Sequence, residues 1–215
     1  RHWKNSTTLY KHAIEVNGNN YPSFSVVYYN LGNTLVKKNE LEEAISHYKM
    51  AIKINPEHVL AYNNLGNALS QKGDIEGAIS QFKTAIKIDP QNALAHDNLG
   101  VILDELGEYE KAIAHYKTAI QVKPDFAGAH YNLGNTLTKT NEPEEAIRHY
   151  KLAIKIDPEH VLAHTNLGNA LAQKGLLEDA ITQYQTAIKI KPDFSPALTN
   201  LEMALSLLQN MTSVP

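Results

Sequence analysis

The stretch Ala61-Tyr62-Asn63-Asn64-Leu65-Gly66-Asn67-Ala68-Leu69 decides the fold, because its central Asn-Leu-Gly returns at a fixed step along the chain. The tripeptide begins at Asn30, Asn64, Asn98, Asn132 and Asn166, with an altered sixth copy at Asn200-Leu201-Glu202, and each step is 34 residues. Prolines keep the same step at Pro22, Pro56, Pro90, Pro124, Pro158 and Pro192. So do two sets of alanines, Ala44, Ala78, Ala112, Ala146, Ala180 and Ala51, Ala85, Ala119, Ala153, Ala187, with Tyr48, Phe82, Tyr116, Tyr150 and Tyr184 between them. A fixed period of a few tens of residues marks an array of stacked supersecondary units.

Each period reads as two helices. Apolar residues recur at helical spacing from Ala61 to Leu69, and a second amphipathic run follows from Ile75 to Ile88. Between them, Gly73 and its equivalents Asn39, Gly107, Asn141 and Gly175 occupy the place where a left-handed residue stops a helix. Asp89-Pro90 ends the second run, since proline cannot continue a helix and biases the residue before it. A glycine inside the first helix (Gly32, Gly66, Gly100, Gly134, Gly168) costs about 1 kcal/mol relative to Ala. Its recurrence predicts a close helix–helix approach, with the small alanines of the second helix as its natural partners.

The totals exclude several classes. Apolar residues make up 43% of the chain and charged residues 20%, enough to bury a core. A net charge of −3 argues against a nucleic-acid surface, which needs clustered Lys and Arg. Without cysteine there is no disulfide framework, thiolate metal site or cysteine nucleophile. No apolar run approaches the length of a membrane span, and the start has no signal-peptide core. The opening Arg1-His2-Trp3 suggests a piece of something longer.

Leu65, Gly66, Ala78, Phe82, Ala85 and Pro90 fall at the consensus positions of the tetratricopeptide repeat, and the chain resembles that family over nearly its whole length. The resemblance implies an all-α, right-handed superhelix of antiparallel helix pairs, with first helices lining a concave groove. A single domain over residues 1–215 is expected, with repeats at 25–58, 59–92, 93–126, 127–160 and 161–194. Residues 1–24 read as a half-repeat, helical from Trp3 to Val16, followed by a loop. Residues 195–210 read as a capping helix and 211–215 as a frayed tail. Repeat four copies repeat one and repeat five copies repeat two, so a three-repeat block has been duplicated.

The groove implied by the resemblance places a ligand on the first helices. One row there is Asn30, Asn64, Asn98, Asn132, Asn166 and Asn200; a second, one turn later, is Asn33, Asn67, Val101, Asn135 and Asn169. Amides donate and accept, so such a ladder can pair with the backbone of an extended peptide. The ladder is similar to the one lining the superhelix of O-linked N-acetylglucosamine transferase. The alternative is that each Asn bonds only its neighbouring repeat. Val26, Leu60, Leu94 and Leu162 accompany the ladder as candidate side-chain contacts or as packing residues. Asp97, Asp104 and Glu105 predict an acidic middle, flanked by Lys37 and Lys139, that favours a basic ligand residue. The chaperone-binding carboxylate clamp of the family is excluded, because its Lys and Arg positions hold Tyr29, Asn63, Asp97, Tyr131 and Thr165.

Other chemistry is weak. His96, His130 and His164 recur once per repeat, too far apart to share a metal at ~2 Å bonds, and read as packing residues. His160 and His164 are four apart but supply only two ligands. Glu42, Glu43, Glu144 and Glu145 open second helices, where the dipole favours carboxylates. Asn5-Ser6-Thr7 and Asn210-Met211-Thr212 match the glycosylation pattern, a short motif with many false matches. The expected function is a non-enzymatic scaffold that binds a protein or extended peptide, with no cofactor, metal, nucleic acid or direct membrane insertion. The alternatives are homo-oligomeric assembly, or an accessory domain recruiting substrate for a larger enzyme. The latter rests on Trp3-Lys4-Asn5-Ser6 through Ala13, which resembles the junction in membrane-embedded glycosyltransferase-like proteins. That resemblance would make this segment the exposed part of a membrane-anchored protein.

Overall fold

The computed structural model describes residues 24–212; all but the last residue of the half-repeat and loop read over 1–24, and the last three residues of the chain, lie outside them. The described residues form eleven helices and no strand: α1 Phe24–Val36, α2 Leu41–Ile54, α3 Val59–Gln71, α4 Ile75–Ile88, α5 Ala93–Glu105, α6 Tyr109–Val122, α7 Ala127–Lys139, α8 Pro143–Ile156, α9 Val161–Gln173, α10 Leu177–Ile190 and α11 Ser195–Thr212. The fold is all-α, of the helix-pair solenoid class. Two compact units divide the chain between Ile102 and Leu103, within α5. In the first, α1 packs on α2, α2 on α3 and α3 on α4. In the second, each helix from α6 to α11 packs on the next.

The turns follow from backbone chemistry. Asn39, Gly73, Gly107, Asn141 and Gly175 all have positive φ, between 61° and 83°. Each lets the chain turn back so that the following N–H donates to a carbonyl of the last helical turn; Asp74 to Leu69 is 2.9 Å and Glu142 to Leu137 is 2.8 Å. At the other end of the pair, Asp89 is extended (φ −129°, ψ 92°), as a residue before proline must be. Since nothing from Ala197 to Val214 is Gly or Pro, α11 runs on to Thr212, past the boundary at 210 suggested by the sequence.

The core is one motif repeated. Ala44, Tyr48 and Ala51 of α2 are at most 1% exposed, and so are Ala78, Phe82 and Ala85 of α4. Ala146, Tyr150, Ala153 of α8 and Ala180, Tyr184, Ala187 of α10 repeat the pattern. Spacings of four and three put each trio on one helical face. The expected partner of the mid-helix glycine is corrected here: the glycine faces the aromatic ring, not an alanine. A Cβ at Gly32 would lie 2.5 Å from Cε1 of Tyr48, one at Gly66 2.6 Å from Phe82, and one at Gly168 2.5 Å from Tyr184. The ring lies flat in the space that any side chain would fill.

Gly134→Ala tests this contact. The added methyl gains about 1 kcal/mol of helix propensity, but lands 2.6 Å from the buried Tyr150 ring, an overpacking worth about 1–3 kcal/mol. Thermal denaturation should show a lower midpoint; a higher one contradicts the contact.

Candidate functional site: an amide ladder on the first helices

Three rungs of the ladder have the same internal wiring. Tyr48 donates its hydroxyl to Oδ1 of Asn33 at 2.8 Å, and Nδ2 of Asn64 donates to the same oxygen at 2.7 Å. Tyr150 and Asn166 converge on Oδ1 of Asn135 at 2.9 Å each. Tyr184 and Asn200 do so on Asn169, at 2.9 and 2.8 Å. Burial pushes the Tyr48 and Tyr150 phenols up to about 12 and raises that of Tyr184, so each stays a donor. The two Asn rows are therefore not parallel lines of free amides: Asn64, Asn166 and Asn200 of the first row each bond the second row of the preceding repeat.

The remaining Nδ2 hydrogen of Asn64 reaches the Tyr29 hydroxyl (3.4 Å), and that of Asn166 reaches Tyr131 (3.3 Å). These tyrosines lean on His58 and His160, with ring centroids 5.0 and 4.8 Å apart. Each histidine also caps its helix, Nδ1 accepting the N–H of Ala61 or Ala163. His160 is thus a cap, and the weak pairing of His160 with His164 as ligands is set aside. The sequence reading missed these aromatic supports and the phenol hydroxyls; a Tyr at four of the five aromatic positions was the available signal.

Two steps of the ladder lack this wiring: at one the second row holds Val101 in place of Asn, and the other is the Asn67–Asn98 rung. Phe82 replaces the tyrosine, and no hydrogen bond to Asn67 is present among the described residues. Nδ2 of Asn98 is buried without a partner. Asn30 and Asn132 are half-buried, and their backbone carbonyls accept the hydroxyls of Thr34 and Thr136.

Open space lies beside the rungs. Asn33, Lys37, Tyr48, Asn64, Asn67 and Gln71 line a cleft of about 340 Å³ between α1 and α3. Four repeats later, the equivalent positions Asn169, Gln173, Tyr184, Asn200, Met203 and Leu207 line one of about 200 Å³ between α9 and α11. The first is polar and carries an amine; the second is apolar at its α11 wall. Val26, Leu60, Leu94 and Leu162 are 40–52% exposed and so are not core.

The groups expected to make the middle acidic are partly engaged within the fold. Asp97 is only 7% exposed. Asp104 accepts the Thr136 hydroxyl at 2.7 Å and pairs with Nζ of Lys139 at 2.5 Å. Lys139 therefore neutralises Asp104 rather than flanking it, and Glu105 is the exposed carboxylate of the three. The glutamates opening second helices also reach the next repeat: Glu42 pairs with Lys72 at 2.9 Å, and Glu144 with Lys174. Their ammonium partners hold both carboxyls below the usual range.

The histidine row sits in the packing. Nε2 of His96, His130 and His164 each lies 3.1–3.2 Å from the carbonyl of the proline six residues earlier. A carbonyl only accepts, so Nε2 carries the proton and neutral His130 accepts at Nδ1. Its partner there is Nδ1 of His149, at 2.9 Å. His149 must then donate, leaving its Nε2 to accept from Arg148 at 3.1 Å. The chain closes only with both rings neutral. Burial, then Arg148, pushes His149 down to about 4, and burial lowers His130 as well. Among the described residues no group of three or more His, Cys, Asp or Glu could hold a metal ion, and no helix is long and apolar enough to cross a membrane.

Comparison with known proteins agrees with the helix-pair fold. The TPR-repeat family model matches residues 32–73, 66–107, 102–141, 134–175 and 168–202. The chain belongs to the tetratricopeptide repeat family. Among solved structures it is similar to YrrB, described as a TPR protein with an unusual peptide-binding site: 27% identity, 88% of this chain and 96% of that one, TM-score 0.64. MamA matches at 27% identity over 80% of this chain and 93% of its own, TM-score 0.65. PilF of Pseudomonas aeruginosa, 18% identical over 87% of this chain and 86% of its own, shares the fold with a TM-score of 0.80. No curated protein sequence matches.

Two outcomes follow from the wiring. Tyr150→Phe removes the hydroxyl that fixes Asn135 and should lower stability by about 1 kcal/mol, measured by denaturant unfolding; no loss would separate the hydroxyl from the rung. In acid, unfolded histidines take up protons from about pH 6.5, whereas folded His149 resists until about 4. The unfolded state binds more protons between these values, so stability should be full above pH 6.5 and fall as pH drops toward 4. His149→Gln, which copies the Gln183 that faces His164 in the next repeat at 2.9 Å, should flatten that slope in melting curves taken across the range.

Proposed function

We propose that this chain is a peptide-binding scaffold whose guest lies along the first-helix face, over the amide rungs. The observation that carries the reading is the pair of clefts at equivalent positions, between α1 and α3 and between α9 and α11, each floored by a rung and walled by side chains of the ladder rows. Amides and phenols at that floor offer hydrogen bonds to a peptide backbone more than to any one side chain, which favours broad specificity. YrrB, a relative by structure and sequence, is described as having a peptide-binding site, in keeping with this reading. It assigns the chain a binding role and no reaction of its own. Recruiting substrate to a larger enzyme is compatible with the same groove.

Association between copies is a second reading with one observation behind it. Leu198, Met203, Leu205, Leu207 and Met211 of α11 are 38–68% exposed, a large apolar surface for one helix. Sedimentation across a concentration series separates the two: a monomer throughout removes self-association.

A peptide selected on the wild-type chain from a random display library should bind at least about tenfold more weakly to the Asn64→Ala/Asn98→Ala/Asn132→Ala variant, the scale of one or two lost hydrogen bonds. Circular dichroism checks that the variant is folded. Equal affinity of the two folded proteins would refute the groove.

A further inference from the structure

The rung at Asn67 and Asn98 departs from the three tyrosine-closed rungs through a single atom. At three rungs a tyrosine hydroxyl fixes the second-row carbonyl, which then accepts the first-row amide of the next repeat. Phe82 occupies the same slot, 1% exposed and flat against Gly66 like its tyrosine counterparts. Without the hydroxyl nothing orients the Asn67 amide, and Nδ2 of Asn98 is left sheltered from solvent without an acceptor. Asn67 also lines the open cleft between α1 and α3. Sheltered donors without partners are rare in folded proteins, and here the bond made at the three tyrosine-closed rungs is not formed.

We propose that the Asn67–Asn98 rung is the ligand-receiving step of the ladder, and that it holds one peptide unit of an extended guest. The unfixed Asn67 amide, which faces the cleft, rotates onto a peptide group of the guest, and that rotation opens Nδ2 of Asn98, sheltered in the free chain, to the same or the adjoining carbonyl oxygen. A peptide suits the rung because its C=O and N–H match the acceptor and donors of an amide. The satisfied Asn33–Asn64 rung beside it gives shape rather than new hydrogen bonds. This assignment rests on the groove reading above and adds where within the groove the guest is gripped.

Phe82→Tyr is the decisive variant. Tyrosine already fits this slot against Gly32, Gly134 and Gly168, so the variant should fold. Its hydroxyl would fix Asn67, and Asn98 would then donate internally. The expected result is a higher melting midpoint with affinity for the library-selected peptide reduced about tenfold, as for the loss of one to two ligand hydrogen bonds. Asn98→Ala should weaken binding by a similar factor in the wild-type background and by little in Phe82→Tyr. The Asn98 side-chain amide resonances should shift when peptide is added. A raised melting point with unchanged affinity, or Asn98 resonances indifferent to peptide, would overturn the assignment and show that water fills the rung. The groove reading fails separately, if the triple Asn→Ala variant binds as well as the wild type.

Discussion

The contact on which everything else depends is an aromatic ring lying flat on a glycine of the preceding helix. The glycine costs about 1 kcal/mol of helix propensity, whereas burying a Tyr or Phe ring is worth about 1.5–3 kcal/mol. The exchange favours the contact. It also fixes geometry, because a ring pressed against backbone at this distance leaves its para position only one place to point. In α2, α8 and α10 that place holds the carbonyl of Asn33, Asn135 or Asn169. A packing decision in the core thus becomes a hydrogen-bonding decision at the groove.

Much of this fold was legible, and the reason is chemical rather than statistical. Positions that demand a special backbone show themselves in any one copy: Gly or Asn at every positive-φ stop, and proline two residues after every second helix. The glycine's partner was not legible in the same way. A period reports which positions recur, not which of two recurring neighbours, ring or alanine, is touched. The ladder shows the same limit. Two Asn rows could be read, but not that they are bonded to each other.

The missing rule concerns separations near one period. Asn33–Asn64, Asn135–Asn166 and Asn169–Asn200 are 31 residues apart, Asp104–Thr136 are 32, and Asp104–Lys139 are 35. Adding a period moves a residue to the same place on the next first helix, and shifting by about one turn brings it level with its neighbour. Contacts between first helices therefore fall slightly off 34. Asp104 and Lys139 belong to different repeats and look like separate features along the chain, which is why their ion pair was not legible. The Asp104 side chain is 14% exposed and also bonds Thr136, so its charge is committed before any guest arrives.

If the first-helix face is the peptide groove proposed above, that commitment bears on how it recognises a guest. A ladder made wholly of satisfied rungs would be a rigid wall, able to exclude but with few donors or acceptors to offer. A ladder of free amides would be adaptable, but would leave several sheltered polar groups to be solvated at every step, each costing about 1–3 kcal/mol if it stayed unpaired. The sequence lies between these limits. Tyr48, Tyr150 and Tyr184 close their rungs and hold adjacent first helices in register, while Phe82 keeps the same ring, glycine contact and core volume without the hydroxyl. Selectivity of position within a repetitive surface can therefore be set by one oxygen atom, with no change to the fold that presents it.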